Sequence, residues 1–284
     1  MKKYILCALA LAMALTSSNL MAKSKGSLKI AGSNTVLPLS QLWAEEYMSK
    51  HEGASISVSG GGTGTGLSML LNGTCDIANA SREAKSSEIK AASSKNSKLV
   101  AIKVARDGLA IIINPANNVK NLTIAQLTAI YGGKVESWNE VGGKSKNKIV
   151  TIGRDSSSGT YGFVQEKILG GKAFRKDIMS IPTTQAICQA VAQSKDAIGY
   201  VGVAYAHEFS KSGKVKIVSI SEKKGIRGEI PTRKTVMSGE YPLFRYLYFY
   251  TMGNPKGLAG DFVKYALSPE GQKLVEKSGY YPLK

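Results

Sequence analysis

The chain has 284 residues, 43% of them hydrophobic, enough for one large domain or two ordinary ones around a real core. This composition excludes a disordered or low-complexity chain. The formal charge of +18 would draw anions, yet the lysines are scattered and no stripe alternates basic with aromatic residues, so nucleic acid is not an expected partner. Two histidines and three cysteines, without metal-ligand spacing, give no reason to expect a metal or another cofactor.

Residues 1–22 read as a signal peptide. Lys2 and Lys3 supply a positive start, Tyr4 to Leu15 an apolar run too short to span a bilayer, and Leu20-Met21-Ala22 a cleavage site. Cys7 lies too early for lipid attachment. The mature chain is therefore expected to be exported and soluble, most simply in a bacterial periplasm, with Cys75 and Cys188 as free thiols and the monomer as the default state.

Leu28–Ala31 predicts a strand, followed by Gly32-Ser33-Asn34-Thr35. From Val36 to Lys50, Leu39, Leu42, Trp43 and Tyr47 recur at three- and four-residue steps, the period of an amphipathic helix. Ile56–Ser59 alternates as a strand, and Gly60–Gly66 follows as a loop leading into a short helix from Leu67 to Leu71. That loop fits neither the dinucleotide glycine spacing nor a nucleotide-binding loop, because Leu67 stands where the lysine belongs. Two readings remain for it, close approach of bare backbone to something small and a flexible hinge.

Cys75–Arg82 predicts a further strand. The small and apolar neighbours of Asp76 make it a partly buried carboxylate, which needs a partner: Arg82, or a proton carried by a ligand. Residues 83–98 read as a surface helix and loop. Asp107–Pro115 is a continuous apolar run, hence a strand buried on both faces. Asn121-Leu122-Thr123 caps a helix through Ile130, Lys148–Gly153 leads as a strand into Arg154-Asp155-Ser156-Ser157-Ser158-Gly159-Thr160, and Tyr161–Leu169 continues as a helix.

This last loop gathers a fixed cation, hydroxyls and a helix start. The first turn of a helix has N–H groups with no intrahelical partner and a positive dipole end. Together they form a socket for a small tetraoxyanion, with an ordinary Ser/Thr cap as the alternative. A helix from Ile181-Pro182-Thr183-Thr184 to Gln193, a buried strand at Ala197–Val201, a basic loop-rich stretch over 210–235 with a strand at Val215–Ile220, an aromatic strand at Tyr246–Tyr250, and helices at Leu258–Leu267 and Pro269–Ser278 complete the reading.

Strands alternating with helices predict an α/β fold with a mostly parallel sheet and ligands beyond the carboxyl ends of its strands. The buried strands near 109–113 and 246–250 would be crossings between two lobes, 23–104 with 237–284 forming lobe I and 105–236 lobe II. The three Gly/Ser/Thr segments would then face one cleft. Catalysis is not expected, because Ser158 has no evident base partner.

These segments resemble the compact form of the periplasmic phosphate-binding proteins of Pst-type ABC transporters. The likeness runs through Ala31–Val36, Gly60–Gly66, Asp76–Arg82, Asp107–Ile111, Asn121–Thr123 through Tyr131–Lys134, Trp138-Asn139, Arg154–Thr160, Ala197–Val201 and Tyr241–Arg245. The resemblance implies a two-lobed type II periplasmic binding protein fold. It also implies high-affinity phosphate capture and delivery to permease and ATPase subunits of an ABC importer.

By the same resemblance, Ser33, Thr35 and the Val36 N–H, Thr63, Asp76, Arg154, Ser156, Ser158, Gly159 and Thr160 would hold the anion, with Asp76 accepting the ligand's proton. Some members carry an Asp two residues after the loop Arg, where this chain has Ser156. Phosphate keeps a proton at neutral pH and sulfate does not, so a fixed carboxylate would penalise sulfate. The alternatives are a binding protein for another oxyanion (sulfate, molybdate or phosphonate) and an adhesion or signalling protein on the same fold.

Overall fold

The computed structural model describes residues 26–284; the expected signal peptide lies outside them. β1 (Gly26–Gly32), α1 (Leu37–Lys50), β2 (Ala54–Gly61), α2 (Thr63–Leu71) and β3 (Ile77–Ala80) form a parallel unit in the order β2-β1-β3. The apolar face of α1 buries Leu39, Trp43 and Tyr47, and the Trp43 indole N–H donates to the Gly271 carbonyl oxygen near the other end of the chain.

After α3 (Ser86–Ser93) comes β4 (Leu99–Ile113), the longest strand of the sheet. Its first part, Leu99–Gly108, runs antiparallel to β10 (Phe244–Met252). From Leu109 onward it pairs with β8 (Ala197–Gly202), and from Ile111 also with β9 (Lys216–Ser221). Residues 109–113 are fully buried, as a continuous run of apolar side chains requires. β10 lies between β3 and β4, so the main path of the sheet reads β2-β1-β3-β10-β4-β8-β6-β7, with β6 (Val150–Gly153) parallel to β8 and β7 (Met179–Ser180) at the edge. β5 (Asn121–Thr123) pairs with β9.

The remaining helices are α4 (Ile124–Tyr131), α5 (Gly159–Lys167), α6 (Thr184–Gln193), α7 (Val203–Lys211), α8 (Arg233–Ser238), α9 (Gly257–Leu267) and α10 (Pro269–Lys277), with a 3₁₀ turn at Trp138–Val141. No helix among the described residues is long and apolar enough to cross a membrane. Cys75 and Cys188 are buried free thiols.

Three differences from the sequence reading have local causes. α2 begins at Thr63, not Leu67, so most of the glycine stretch is strand end and helix rather than loop. Glycine is needed at position 66 because a Cβ there would stand 2.6 Å from the Ala31 carbonyl oxygen and from the Gly32 Cα, where α2 packs onto β1. β4 begins at Leu99, well before the apolar run; over this first part its one strand partner is β10, with an isolated bridge from Arg106 to Tyr281, and polar residues such as Lys103 and Arg106 mask the strand. α7 follows β8 with no intervening turn, so its apolar residues run on from the strand, and the short α8 has only Val236 and Met237 as apolar residues.

Candidate functional site

The N-termini of α1, α2 and α5 converge beyond the carboxyl ends of β1, β2 and β6. Their contacts are direct. The Thr35 and Thr160 hydroxyls lie 3.0 Å apart. The Ser81 N–H donates to Thr63 Oγ1 at 3.1 Å. At Gly159 a Cβ would stand 2.2 Å from Thr63 Oγ1 and 2.6 Å from Ser81 Oγ, so only glycine lets the start of α5 approach these hydroxyls. Ser33, Thr35, Thr63, Ser81, Ser158 and Thr160 are all buried. A cluster of hydroxyls so far from water is costly unless each finds a partner.

Two cations enter the cluster. Arg154 is buried at the end of β6; its N–H donates to the Tyr200 hydroxyl at 3.1 Å and its Nη1 to Thr184 Oγ1 at 3.3 Å. Burial lowers its pKa below the usual guanidinium value, with the Asp155 charge working the other way. Arg245, at the start of β10, donates from Nη1 to Thr160 Oγ1 and to the Ser81 carbonyl oxygen, each at 3.1 Å. Its Nε donates to Asp107 Oδ2 at 2.8 Å, and its Nη2 stands 2.7 Å from the same oxygen.

Asp107 is the only buried carboxylate among the described residues. Its Oδ1 accepts from the Val203 N–H at 2.9 Å. Burial raises its pKa above the ordinary carboxylate value, while the Arg245 charge and the Val203 N–H oppose the rise. Oδ2 faces two guanidinium nitrogens, whereas Oδ1, with one donor, retains a second lone pair for another. A Cβ on Gly202 would stand 3.0 Å from Thr35 Cγ2 and 3.2 Å from both Asp107 oxygens, so the carboxylate and Thr35 flank the same glycine.

Three buried polar atoms of this cluster, Ser81 Oγ, Arg154 Nε and Arg245 Nη2, have no hydrogen-bond partner within the protein, although the last forms an ion pair with Asp107. Each such atom costs about 1–3 kcal/mol of desolvation. A ligand rich in acceptors would relieve Ser81 Oγ and Arg154 Nε. The helix N-termini add first-turn N–H groups at Gly159 and Thr160, whereas the Tyr161 N–H is capped by Ser158 Oγ at 3.3 Å.

Of the sequence-predicted residues, Ser33, Thr35, Val36, Thr63, Arg154, Ser158, Gly159 and Thr160 meet here. The Val36 N–H donates to the Ser33 carbonyl oxygen at 3.1 Å. Asp76 does not join them. It precedes β3, at the opposite end of that strand from Ser81, and is exposed, accepting the Lys29 N–H at 2.8 Å. Its small apolar neighbours pack beneath the sheet while its own side chain faces a surface hollow shared with Thr251 and Lys256. Ser156 also stays out: it is exposed at the tip of its loop, and the neighbouring Asp155 instead binds the Ser157 N–H at 2.8 Å.

Sequence reasoning missed Ser81, Asp107 and Arg245. The signal for two of them was present, since Asp107 and Arg245 are charges at the thresholds of two runs apolar or aromatic enough to be buried. An isolated charge there calls for an opposite one. Among the described residues no group of three or more His, Cys, Asp or Glu side chains could hold a metal ion.

Fold and site together are those of an α/β binding protein for a small anion. Residues 17–270 match the model of the PBP superfamily domain. The phosphate-binding protein PstS of Pseudomonas aeruginosa is 34% identical over 274 residues, covering 91% of this chain and 83% of its own length. PstS of Staphylococcus epidermidis is 35% identical over 261 residues, covering 90% and 78%. Among solved structures, a protein of Clostridium perfringens, named as a phosphate ABC transporter substrate-binding protein and holding bound phosphate, superposes with a TM-score of 0.80 at 29% identity, covering 91% of this chain and all of its own. The chain belongs to the PstS family of phosphate-binding proteins within this superfamily.

Proposed function

We propose that this chain captures inorganic phosphate outside the cytoplasm and delivers it, as a monomer, to the permease and ATPase subunits of an ABC importer. The observation that carries this reading is the buried cluster itself: three helix N-termini, Arg154 and the hydroxyls of Thr35, Thr63, Ser81, Ser158 and Thr160, with one carboxylate, Asp107, on its wall. Related proteins named for phosphate binding and transport support it. So does the change of partner along β4 near Leu109, which fits lobes of 23–104 with 237–284 and of 105–236 meeting at the cluster.

In this reading Arg154 and the Gly159 and Thr160 N–H groups balance the anion's charge, and the hydroxyls fix its tetrahedral shape. Asp107, held on both oxygens by Arg245 and Val203, accepts the proton that phosphate keeps at neutral pH. Sulfate would present a bare oxygen to that carboxylate, leaving two like charges facing each other out of water. The role of proton acceptor thus falls to Asp107. No catalytic step is assigned: the protein contact of Ser158 Oγ is a helix cap, with no base behind it.

Calorimetric titration of the purified protein with phosphate, sulfate and molybdate tests the reading. Tight binding of phosphate with far weaker sulfate and molybdate is expected. Sulfate or molybdate binding as tightly as phosphate would overturn it.

A further inference from the structure

Contacts across the cleft are not confined to the anion cluster. At its rim the side chain of Asn34 points away from the site and bridges three segments. Its Oδ1 accepts the Gly61 N–H at 3.0 Å, on the same side of the molecule. Its Nδ2 donates to the Pro182 carbonyl oxygen at 3.0 Å, on the other side. The Tyr205 hydroxyl of α7 donates to the Asn34 backbone carbonyl oxygen at 3.1 Å. Because the Gly61 N–H can meet only an acceptor, the amide orientation is fixed and the donor end must face Pro182.

Gly61 is held a second time, through the next peptide group. Its carbonyl oxygen lies 3.1 Å from Ser157 Oγ, whose one proton is shared with Asp155 Oδ1, and the Gly64 N–H donates to the Ser157 carbonyl oxygen at 2.8 Å. Gly61 and Gly62 have φ of 122° and 103°, and a Cβ on Gly62 would stand 2.7 Å from the Ser157 oxygen, so glycine alone permits this approach. The Asn34 bridge is neutral, whereas the Ser157 hydroxyl also rests on the Asp155 carboxylate. Neither side chain belongs to the group that encloses the ligand, and both end on one residue, Gly61.

We infer that Asn34 is the positioning residue of a rim clasp, with Tyr205 and Ser157 as its partners, that sets how long the closed form persists and therefore how fast the anion leaves. The inference rests on the phosphate-binding reading for its ligand but not for its geometry. An open form lacks the cross-cleft contacts, so the clasp adds to the closed form alone and slows release without touching the encounter. It cannot distinguish one tetrahedral anion from another, because it does not reach them.

The test uses Asn34→Ala and Tyr205→Phe in the full mature chain. Rapid-mixing measurements with phosphate should show dissociation several-fold to about tenfold faster in each variant, the range one neutral hydrogen bond gives, with association within about twofold of the parent. The ratio of phosphate to arsenate affinity should not move. Small-angle scattering of the anion-free proteins reads the clasp whichever anion binds, and Asn34→Ala should have the larger radius of gyration. Unchanged dissociation together with an unchanged radius, or an affinity loss carried by association, would overturn the clasp. A parent protein that binds no phosphate, combined with an expanded Asn34→Ala variant, would remove the ligand assignment and leave the clasp standing.

Discussion

Replacing Asp107 by asparagine separates proton acceptance from shape. In the parent, the carboxylate is fixed by Val203 and Arg245 and is fully buried, so it cannot rotate away from a bound ion or be screened by water. Its hydrogen bond to a protonated phosphate oxygen is charge-assisted, worth about 1.5–3 kcal/mol. The Asp107→Asn variant would lose that bond and present an amide that can donate to a bare oxygen, as sulfate prefers. Phosphate affinity should fall about 10- to 150-fold, at about 1.4 kcal/mol per factor of ten, while sulfate affinity holds or rises.

The substitution also leaves the Arg245 guanidinium buried without its counter-charge, a loss of about 3–5 kcal/mol of stability that should appear as a lowered melting temperature. The ratio of the two affinities is insensitive to that loss, since both are measured on the same folded fraction. Calorimetric titration with each anion is the assay, and Asp76→Asn, exposed at the far end of β3, is the control. A phosphate-to-sulfate ratio unchanged by Asp107→Asn but collapsed by Asp76→Asn would refute the reasoning.

Gly159→Ala should abolish binding, because its Cβ would have to occupy space 2.2 Å from Thr63 Oγ1; titration should show no heat although circular dichroism remains that of a folded α/β protein. Arg154→Lys keeps the charge but loses the planar fork, and a decline of about 10- to 100-fold in phosphate affinity is expected by calorimetry. Tyr280→Phe removes a buried 2.7 Å hydrogen bond from the Tyr280 hydroxyl to the Thr35 carbonyl oxygen. It should cost about 1 kcal/mol in thermal stability and raise the phosphate dissociation constant a few-fold. The thiols should respond to pH with a definite sign. Burial pushes Cys75 up to about 11 and Cys188 up to about 12. An unfolded thiol ionises near its ordinary value, so the stabilisation from burying the neutral form is complete below about pH 8.5 and is lost as pH rises through 11 and 12. Chemical denaturation between about pH 8 and 11 should show stability falling, and a variant carrying both Cys75→Ala and Cys188→Ala should lose that part of the slope.

Much of the fold was legible because its elements carry strong periodic signals. The α1 stripe of Leu39, Trp43 and Tyr47, the buried run of β4 and the Thr123 cap of α4 fall where hydrophobic spacing and capping chemistry put them. The Arg154–Thr160 socket was legible for a similar reason, since hydroxyl, glycine and cation residues before a helix have few other joint uses. What was not legible depended on which end of a strand a residue occupies. Asp76 and Ser81 flank the same short strand, and composition alone made the acid the better candidate; only the direction of β3 puts Ser81 in the site and Asp76 outside it. Asp107 and Arg245 are far apart in sequence and meet only because β10 returns antiparallel beside β4.

The insertion of β10 between β3 and β4 has a consequence for how the molecule is made. The sheet has a missing column until residues 244–252 arrive, although the strands on either side end at positions 80 and 113. A chain synthesised from its N-terminus therefore cannot seal its interior early, and such distant pairings are slow to form. The edges of β3 and β4 stay unpaired until almost all of the polypeptide has been made, and truncation before Phe244 should leave both strands without their shared neighbour.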